Sequence, residues 1–158
     1  MNFVGFDSHD HSRCISRGVD IADQACKKQG LQLTRIRRRV LEMLLAQHCA
    51  LGAYDILERL RQEGFSAQPP TAYRALDFLV SHGFAHKIEN LNAFISCTNP
   101  GASHMPVFLI CNKCRSVAES CADSARGLLG KLAEQSGFQV QQTVVEATGL
   151  CPNCQEQP

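Results

Sequence analysis

Two Cys-x-x-Cys pairs constrain this chain more than any other feature: Cys111 with Cys114, and Cys151 with Cys154. Two cysteines separated by two residues present both sulfurs to one ion, and two such pairs close a tetrahedral thiolate shell around zinc. A shell of four cysteines leaves no open position, so the site would be structural and not catalytic. The alternative is a thioredoxin-like redox pair, but neither pair opens a helix after a predicted strand. The spacing therefore favours a zinc site that holds the C-terminal segment against an earlier strand.

The cysteine count also favours metal binding over disulfide bonding. The chain has nine cysteines, an odd number that cannot pair completely, and a reducing compartment disfavours structural disulfides. We expect a cytoplasmic protein without a membrane partner, because no apolar run approaches the roughly 18 residues needed to cross a bilayer. The N-terminal residues also lack the basic-then-apolar order of a signal peptide. A hydrophobic fraction of 44% is typical of a globular chain.

The first two thirds of the chain have the periodicity of a helical domain that ends in a hairpin. We expect residues 1–15 to form a flexible arm. Beyond it, apolar residues recur at helical spacing in four segments, with Gly, Pro or a capping Thr at their ends. These segments are residues 16–29, a helix capped by Thr34, residues 53–63 and residues 70–82. Two short alternating runs follow, residues 84–89 and 93–97, separated by Asn90-Leu91-Asn92. Three or four helices before a hairpin describe a winged helix-turn-helix domain over residues 16–97.

A second domain is predicted after a hinge at residues 98–105, where Asn99-Pro100-Gly101 interrupts regular structure. The pattern then predicts strands at 107–110 and 115–119, a helix at 123–135 and a strand at 138–146. The expected fold class is α+β, with an N-terminal winged helix-turn-helix domain and a C-terminal α/β domain, residues 106–158, that carries the four-cysteine zinc site.

Four further residues form a second candidate metal set: His86, Cys97, His104 and Glu119. Together they supply two imidazoles, one thiolate and one carboxylate, which fill the four positions of a zinc ion. They come from the hairpin, its end, the hinge and the second domain, so one ion bound by all four would fix the angle between the domains. Each also has an ordinary explanation: a surface histidine, a cysteine that fills apolar space, a solvated glutamate. The residues alone leave both interpretations open.

The helix that begins at Thr71 is the candidate recognition helix. Thr71, Tyr73 and Arg74 lie near its first turn, where a helix that enters the major groove meets bases and phosphates. Arg74 could make a bidentate contact with guanine, whereas Tyr73 could equally belong to the core. Tyr54 opens the preceding helix and is a candidate phosphate or base contact.

A basic segment precedes these helices. Six of the thirteen residues from Lys27 to Arg39 are Lys or Arg and none is acidic, although the net charge of the chain is only +1. Arg35 and Arg37 are candidate DNA contacts within this segment, since clustered positive charge attracts phosphate. A solvated helix face is the alternative explanation of such a run.

At these residues the chain resembles the ferric uptake regulator family, and its zinc uptake regulator branch most closely. The resemblance runs from about residue 20 to 154. It is carried by both cysteine pairs and by four segments: Leu33-Thr34-Arg35-Ile36-Arg37, Ala53-Tyr54-Asp55-Ile56-Leu57, Pro69-Pro70-Thr71-Ala72-Tyr73-Arg74-Ala75-Leu76-Asp77-Phe78-Leu79 and Gly83-Phe84-Ala85-His86-Lys87-Ile88-Glu89.

The resemblance implies a zinc-responsive repressor of zinc-uptake genes, not an enzyme, that binds double-stranded operator DNA as a homodimer through a C-terminal dimerisation domain. It implies two zinc ions per chain: a structural one at the four cysteines and a regulatory one at His86, Cys97, His104 and Glu119. Tyr54 and Arg74 match the DNA-contacting positions of the family. Two dimers per operator are a feature of this branch, and Asp77 would join salt bridges between them. No small-molecule substrate is implied.

Two alternative functions stay open. An iron- or peroxide-sensing repressor of the same family is disfavoured because the segment Ala102-Ser103-His104-Met105-Pro106-Val107 lacks the histidine-rich stretch of the iron-sensing branch. A zinc-dependent enzyme would need an open coordination position or an exposed thiol of low pKa, and neither candidate set offers one if all its members bind.

Overall fold

The structure, a computed structural model, describes residues 6, 10–102, 104–121 and 123–156, but not the side chains of residues 123–126 and 128. The chain forms two compact units that divide after Ala102. The first unit is helical with a small hairpin, and the second is built on a three-stranded sheet. This combination confirms the predicted α+β class. Among the described residues, no helix has the length and apolar composition that a bilayer crossing requires.

The first helix, α1, spans His11–Lys28 and begins at His11 instead of the predicted Ser16. The carboxylate of Asp10 accepts a hydrogen bond of 2.9 Å from the backbone N–H of Ser12, which satisfies a donor that the first turn of a helix leaves unpaired. This polar cap precedes the apolar stripe, so periodicity alone placed the start of the helix too late. The rest of the predicted arm, residues 1–5 and 7–9, lies outside the described residues.

The next three helices confirm the sequence prediction closely: α2 (Arg35–Leu45), α3 (Ala53–Gln62) and α4 (Pro69–Ser81). Thr34 caps α2, since its hydroxyl accepts a hydrogen bond from the backbone N–H of Arg37 at 3.3 Å. Each helix buries one apolar stripe, and the burial of each large aliphatic side chain contributes about 1.5–3 kcal/mol. The fully buried large side chains of this core include Leu41, Leu44, Ile56, Leu60, Leu76 and Leu79.

A hairpin follows α4 and forms the wing. Strands β1 (Ala85–Ile88) and β2 (Ala93–Ser96) pair antiparallel, with His86 opposite Ile95. Leu51, which precedes α3, joins the same sheet by two backbone hydrogen bonds of 2.8 Å with Phe94. These contacts attach the wing to the helical core, and they complete the winged helix-turn-helix order predicted for this unit.

The second unit has strand order β4-β3-β5, where β3 is Pro106–Cys111, β4 is Val117–Cys121 and β5 is Val145–Gly149. Strand β4 runs antiparallel to the central β3, whereas β5 runs parallel to it. A parallel pair needs a crossover connection, and α5 (Asp123–Ser136) lies in the segment between β4 and β5. The interior residues of this sheet include Phe108, Ile110, Val117 and Ala118.

The prediction of a strand over residues 138–146 is wrong in its bounds. Strand β5 begins only at Val145, where the pairing with Val107 of β3 starts, and it continues to Gly149. Phe138 lies before it with 67% of its surface exposed, so the apolar alternation that suggested a strand does not reflect a buried face. A short helix that was not predicted, α6 (Pro152–Gln155), follows β5.

Candidate metal centre and nucleic-acid interface

The parallel pairing of β3 with β5 brings the two cysteine pairs together. Cys111 is the last residue of β3 and lies opposite Gly149, the last residue of β5. Because parallel strands end at the same edge of a sheet, the segments that follow the two strands begin side by side. The backbone N–H of Asn112 donates to the carbonyl of Gly149 at 2.8 Å and continues this pairing past the strand ends. Two cysteine pairs that are far apart in the sequence thus meet at one edge.

Tight turns then aim the sulfurs at a common point. The first turn is closed by a hydrogen bond of 2.9 Å from the N–H of Arg115 to the carbonyl of Cys111, and Arg115 adopts a positive φ of 62°. The second is the start of α6, where the N–H of Cys154 donates to the carbonyl of Cys151 at 3.0 Å. The four Sγ atoms, of Cys111, Cys114, Cys151 and Cys154, all lie within 4.8 Å of one another.

The thiols of this cluster differ in acidity. Backbone N–H groups, those of Cys114 and Cys151 foremost, point at the sulfur of Cys111 and lower the pKa of its thiol to about 6. The hydroxyl of Ser116, 3.2 Å from Cys114 Sγ, lowers the pKa of that thiol as well. Burial raises the pKa of Cys151, and a hydrogen bond with the Cys151 sulfur raises the pKa of Cys154 to about 12.

This donor set fits zinc. Four sulfurs converge on one point. The raised pKa values of Cys151 and Cys154 indicate that these two thiols resist ionisation beside the more acidic Cys111 and Cys114. A divalent ion of borderline softness removes that repulsion and takes four thiolates in a tetrahedral shell. With all four positions taken by protein sulfur, the cluster has no place for a substrate.

Two members of the second candidate set lie in the same unit and contact each other. Glu119, on β4, is only 2% exposed, and its Oε1 lies 3.0 Å from Nε2 of His104. A carboxylate is rarely this buried unless it is paired or binds a metal. An imidazole nitrogen and a carboxylate oxygen at hydrogen-bond distance are both zinc ligand types, so this pair fits one half of a zinc shell.

The other two members lie in the helical unit, on one face of the wing. His86 is in β1, and Cys97 directly follows β2, where its N–H donates to the carbonyl of Phe84 at 3.0 Å. Since side chains alternate along a strand and Phe84 lies opposite Cys97, the side chains of His86 and Cys97 share a face as diagonal neighbours. Cys97 is buried and His86 is half-buried.

The predicted DNA contacts fall into two groups. Tyr54, at the start of α3, and Tyr73, on α4, keep 69% and 43% of their surfaces exposed, and Arg74 is also exposed. Large exposed aromatic side chains with a polar tip are typical of binding surfaces. Thr71 has a local task, because its hydroxyl accepts a hydrogen bond of 3.4 Å from the backbone N–H of Gln68 at the start of α4.

The basic segment is engaged within the unit itself. Lys27 and Arg38 both form ion pairs with Asp23, at 2.6 and 3.3 Å. Arg39 forms a bidentate pair with Glu63, with distances of 2.6 and 2.7 Å, which links α2 to the end of α3. Arg35 and Arg37 lie over the rings of Phe65 and Phe78, at 4.8 and 3.7 Å from the centroids. Most of this positive charge therefore has a partner inside the protein.

Sequence reasoning missed one surface, an apolar groove of about 390 Å³ on the second unit. Leu132 and Phe138 expose 54% and 67% of their surfaces there. A signal was available, since these residues are apolar at positions where a solvated helix and loop would carry polar groups. The groove is lined mainly by Leu129, Leu132, Phe138, Val140 and Val144.

Comparisons with known proteins agree with this arrangement. The profile of the ferric uptake regulator family matches residues 28–148. The zinc uptake regulation protein of Escherichia coli K12 is 39% identical over 136 residues, which cover 85% of this chain and 80% of that protein. The solved structure of a zinc uptake regulator complexed with zinc and DNA is similar with a TM-score of 0.86 and 37% identity, covering 90% of this chain and 95% of the other. The holo form of the protein XcZur is similar with a TM-score of 0.81 and 39% identity, covering 90% and 99%.

Proposed function

Because this chain belongs to the ferric uptake regulator family, in its zinc uptake regulator branch, we propose that it is a zinc-responsive repressor that binds operator DNA. The observation that carries the proposal is the assembly of the four-cysteine cluster at one sheet edge, in a chain whose other unit is a winged helix with exposed aromatic and arginine side chains. The iron- and peroxide-sensing alternatives are not favoured, since the relatives named above are zinc uptake regulators. The targets we propose are zinc-uptake genes, and the protein would act in the cytoplasm.

Each chain has two zinc sites in this proposal. Cys111, Cys114, Cys151 and Cys154 would hold the structural ion, whose binding energy contributes directly to the folding of the second unit. The regulatory ion would be held by His86, Cys97, His104 and Glu119. His104 and Glu119 support this assignment by their burial and their 3.0 Å contact. His86 and Cys97 support it by their shared face on the wing.

The regulatory residues give the protein a means to link metal to DNA. Two of them belong to the wing hairpin and its end, and the other two belong to the second unit. Ligation by all four would therefore restrict the arrangement of a DNA-reading unit relative to a dimerising unit. By linkage, DNA and zinc must then strengthen each other's binding by the same factor.

DNA would be read by α4, with α3 beside it. Arg74 is exposed and can form a bidentate contact with guanine. The two exposed tyrosines, Tyr54 and Tyr73, would contact bases or phosphates. Thr71 would contribute through the first turn of α4, which its hydroxyl stabilises. Because a dimer presents two such helices, half-sites about one helical turn apart, or a multiple of it, are expected.

The apolar groove of the second unit supports the proposal of a homodimer. Exposed side chains such as Leu132 and Phe138 would be removed from water against a second copy of the chain. Cyclic dimers use the same patch on both copies, so the groove would face its own counterpart in the second copy. Two dimers on one operator are a proposal that rests on the family resemblance, with Asp77 as a candidate contact between them.

In vitro transcription tests the proposed function. A duplex is first selected from a random library by the zinc-loaded protein and is then placed over a promoter. We expect zinc-loaded protein to reduce transcript yield from this template, and a zinc chelator to restore it. A control template without the selected duplex should be unaffected. Failure to select any duplex, or repression that is equal with and without zinc, would contradict the proposal.

A further inference from the structure

Arg37 lies between two elements of the helical unit and uses one face and one edge of its guanidinium group. The carbon of the guanidinium lies 3.7 Å from the centroid of the Phe78 ring. Its Nη1 donates a hydrogen bond of 2.7 Å to the backbone carbonyl of Gln32. Arg37 belongs to α2, Gln32 precedes that helix, and Phe78 belongs to α4. One side chain therefore connects the start of α2 to the proposed reading helix.

Both ends of this connection are fixed by their own elements. The backbone N–H of Arg37 is held by the capping hydroxyl of Thr34, so the start of its side chain has a defined position. The Phe78 ring is buried, and the ring of His82 lies 4.3 Å from it. His82 is in turn held by the contact of its Nδ1 with the carbonyl of Phe78 at 2.8 Å. Because both partners are held in place, the contact between Arg37 and Phe78 can fix the position of α4 relative to the start of α2.

The neighbouring arginines also have partners within the helical unit. Arg38 pairs with Asp23, and Arg39 pairs with Glu63 and Glu42. Phosphate groups would have to compete with these carboxylates, and the guanidinium of Arg37 already uses one face and one N–H group for contacts within the unit. The basic segment that the sequence presents as a DNA contact is thus largely an internal set of interactions.

We propose that Arg37 is a positioning residue for DNA reading, which holds α4 in place through the ring of Phe78 and does not serve as a phosphate ligand. The inference rests on the proposed function, since it assumes that α4 reads DNA. A guanidinium is suited to this task because its planar face stacks on the ring while its edge donates to a carbonyl. The ammonium group of a lysine carries the same charge but has no planar face, so it cannot stack on the ring while it donates to the carbonyl.

The test uses Arg37→Lys, Arg37→Gln, Phe78→Leu and the double variant of Arg37→Lys with Phe78→Leu, all in the full-length, zinc-loaded protein. Two probes are compared: the duplex selected by the wild-type protein, and a mixed-sequence duplex of equal length. For Arg37→Lys we expect affinity for the selected duplex to fall about three- to thirtyfold, the range for a cation–π interaction. Affinity for the mixed-sequence duplex, and the dependence of its binding on salt, should not change, because the number of neutralised phosphates stays the same.

Phe78→Leu should reproduce this loss of selectivity, and the double variant should lose little more than either single variant, since both remove one interaction. Arg38→Lys is the matched control, because Arg38 pairs with Asp23 of α1 and not with a residue of α4, and its selectivity should stay that of the wild type. Thermal unfolding of every variant establishes the folded fraction at the binding temperature.

Three results would overturn the inference. Full affinity of Arg37→Lys for the selected duplex would show that a positive charge at this position is sufficient for selective binding. A fall in the salt dependence of Arg37→Gln, by about 0.9 in the slope of log K against log salt for each phosphate that is no longer neutralised, would identify a phosphate ligand. Reduced thermal stability with unchanged selectivity would show a purely structural role. If the wild-type protein binds no duplex at all, the proposed function itself fails together with the inference.

Discussion

At the scale of single residues, the four cysteines of the proposed structural zinc site differ in acidity. The thiol of Cys111 has a pKa lowered to about 6, whereas that of Cys154 is raised to about 12 by its hydrogen bond with Cys151. Without a metal, these shifts favour the thiolate at Cys111 and the protonated thiol at Cys151 and Cys154. Zinc binding requires all four as thiolates. The protons must leave as the ion enters.

The affinity of the structural site for zinc should consequently depend steeply on pH. Cys151 and Cys154 both have raised pKa values, so zinc binding at neutral pH should release at least these two protons. Linkage then predicts that affinity falls by at least about 100-fold for each unit of decrease in pH around neutrality. Zinc competition with a chelator of known pH dependence measures this slope. A pH-independent affinity would contradict the assignment of these thiols as ligands.

Arg74 is the residue that we expect to recognise the DNA sequence directly. Arg74→Ala removes the bidentate donor and should cost about 1–3 kcal/mol in binding to the selected duplex. Arg74→Lys is the control, because it keeps the charge and should preserve binding to mixed-sequence DNA while it still loses selectivity. Fluorescence anisotropy with both duplexes separates these effects. An unchanged isotherm for Arg74→Ala would mean that another residue reads the operator.

At the scale of elements, the sequence was most informative where local chemistry marks the ends of a helix. The capping Thr34 and the prolines before Thr71 predicted the starts of α2 and α4 almost to the residue. The start of α1 was missed because Asp10 caps a turn that precedes any apolar repeat. Strand β5 was misplaced because its bounds depend on pairing with β3, a partner distant in the sequence.

The candidate sites were also predictable to different degrees, because some of their features depend on local sequence and others on contacts between distant segments. The spacing of the Cys-x-x-Cys pairs describes two turns locally, so the four cysteines that converge in the structure could be predicted as one set from the residues alone. The parallel pairing of β3 with β5, which brings the two turns together, could not be identified in this way. The ring contacts of Arg35 and Arg37 were also beyond sequence reasoning, since their partners lie in other elements. Charge patterning alone treats such arginines as solvent-facing.

Helix α5 and the loop after it should form the interface of the homodimer. Leu132→Glu places a charge in the apolar groove and should weaken the dimer at least about tenfold, because a charge would be desolvated there. Lys131→Glu is the control, since it places the same glutamate at an adjacent exposed position that is already charged and does not line the groove. Sedimentation velocity over a range of protein concentrations measures the effect. A dimer of unchanged affinity in Leu132→Glu would place the interface elsewhere.

At the scale of the whole molecule, the proposed regulatory ion would join a DNA-reading unit and a dimerising unit. Its proposed ligands belong to both units, so neither unit would bind zinc in this way alone. The structural ion would remain bound throughout, because its four sulfurs belong to the second unit. Only the regulatory site would respond to changes in cellular zinc.

The affinity for the selected duplex as a function of buffered free zinc tests this coupling most directly. The wild-type protein should gain about 5- to 150-fold in affinity as the regulatory site fills. Cys97→Ser should remain a folded dimer that keeps its structural zinc and binds DNA with a low, zinc-independent affinity. A wild-type affinity that stays constant across the titration, or a full zinc response in Cys97→Ser, would contradict the coupling.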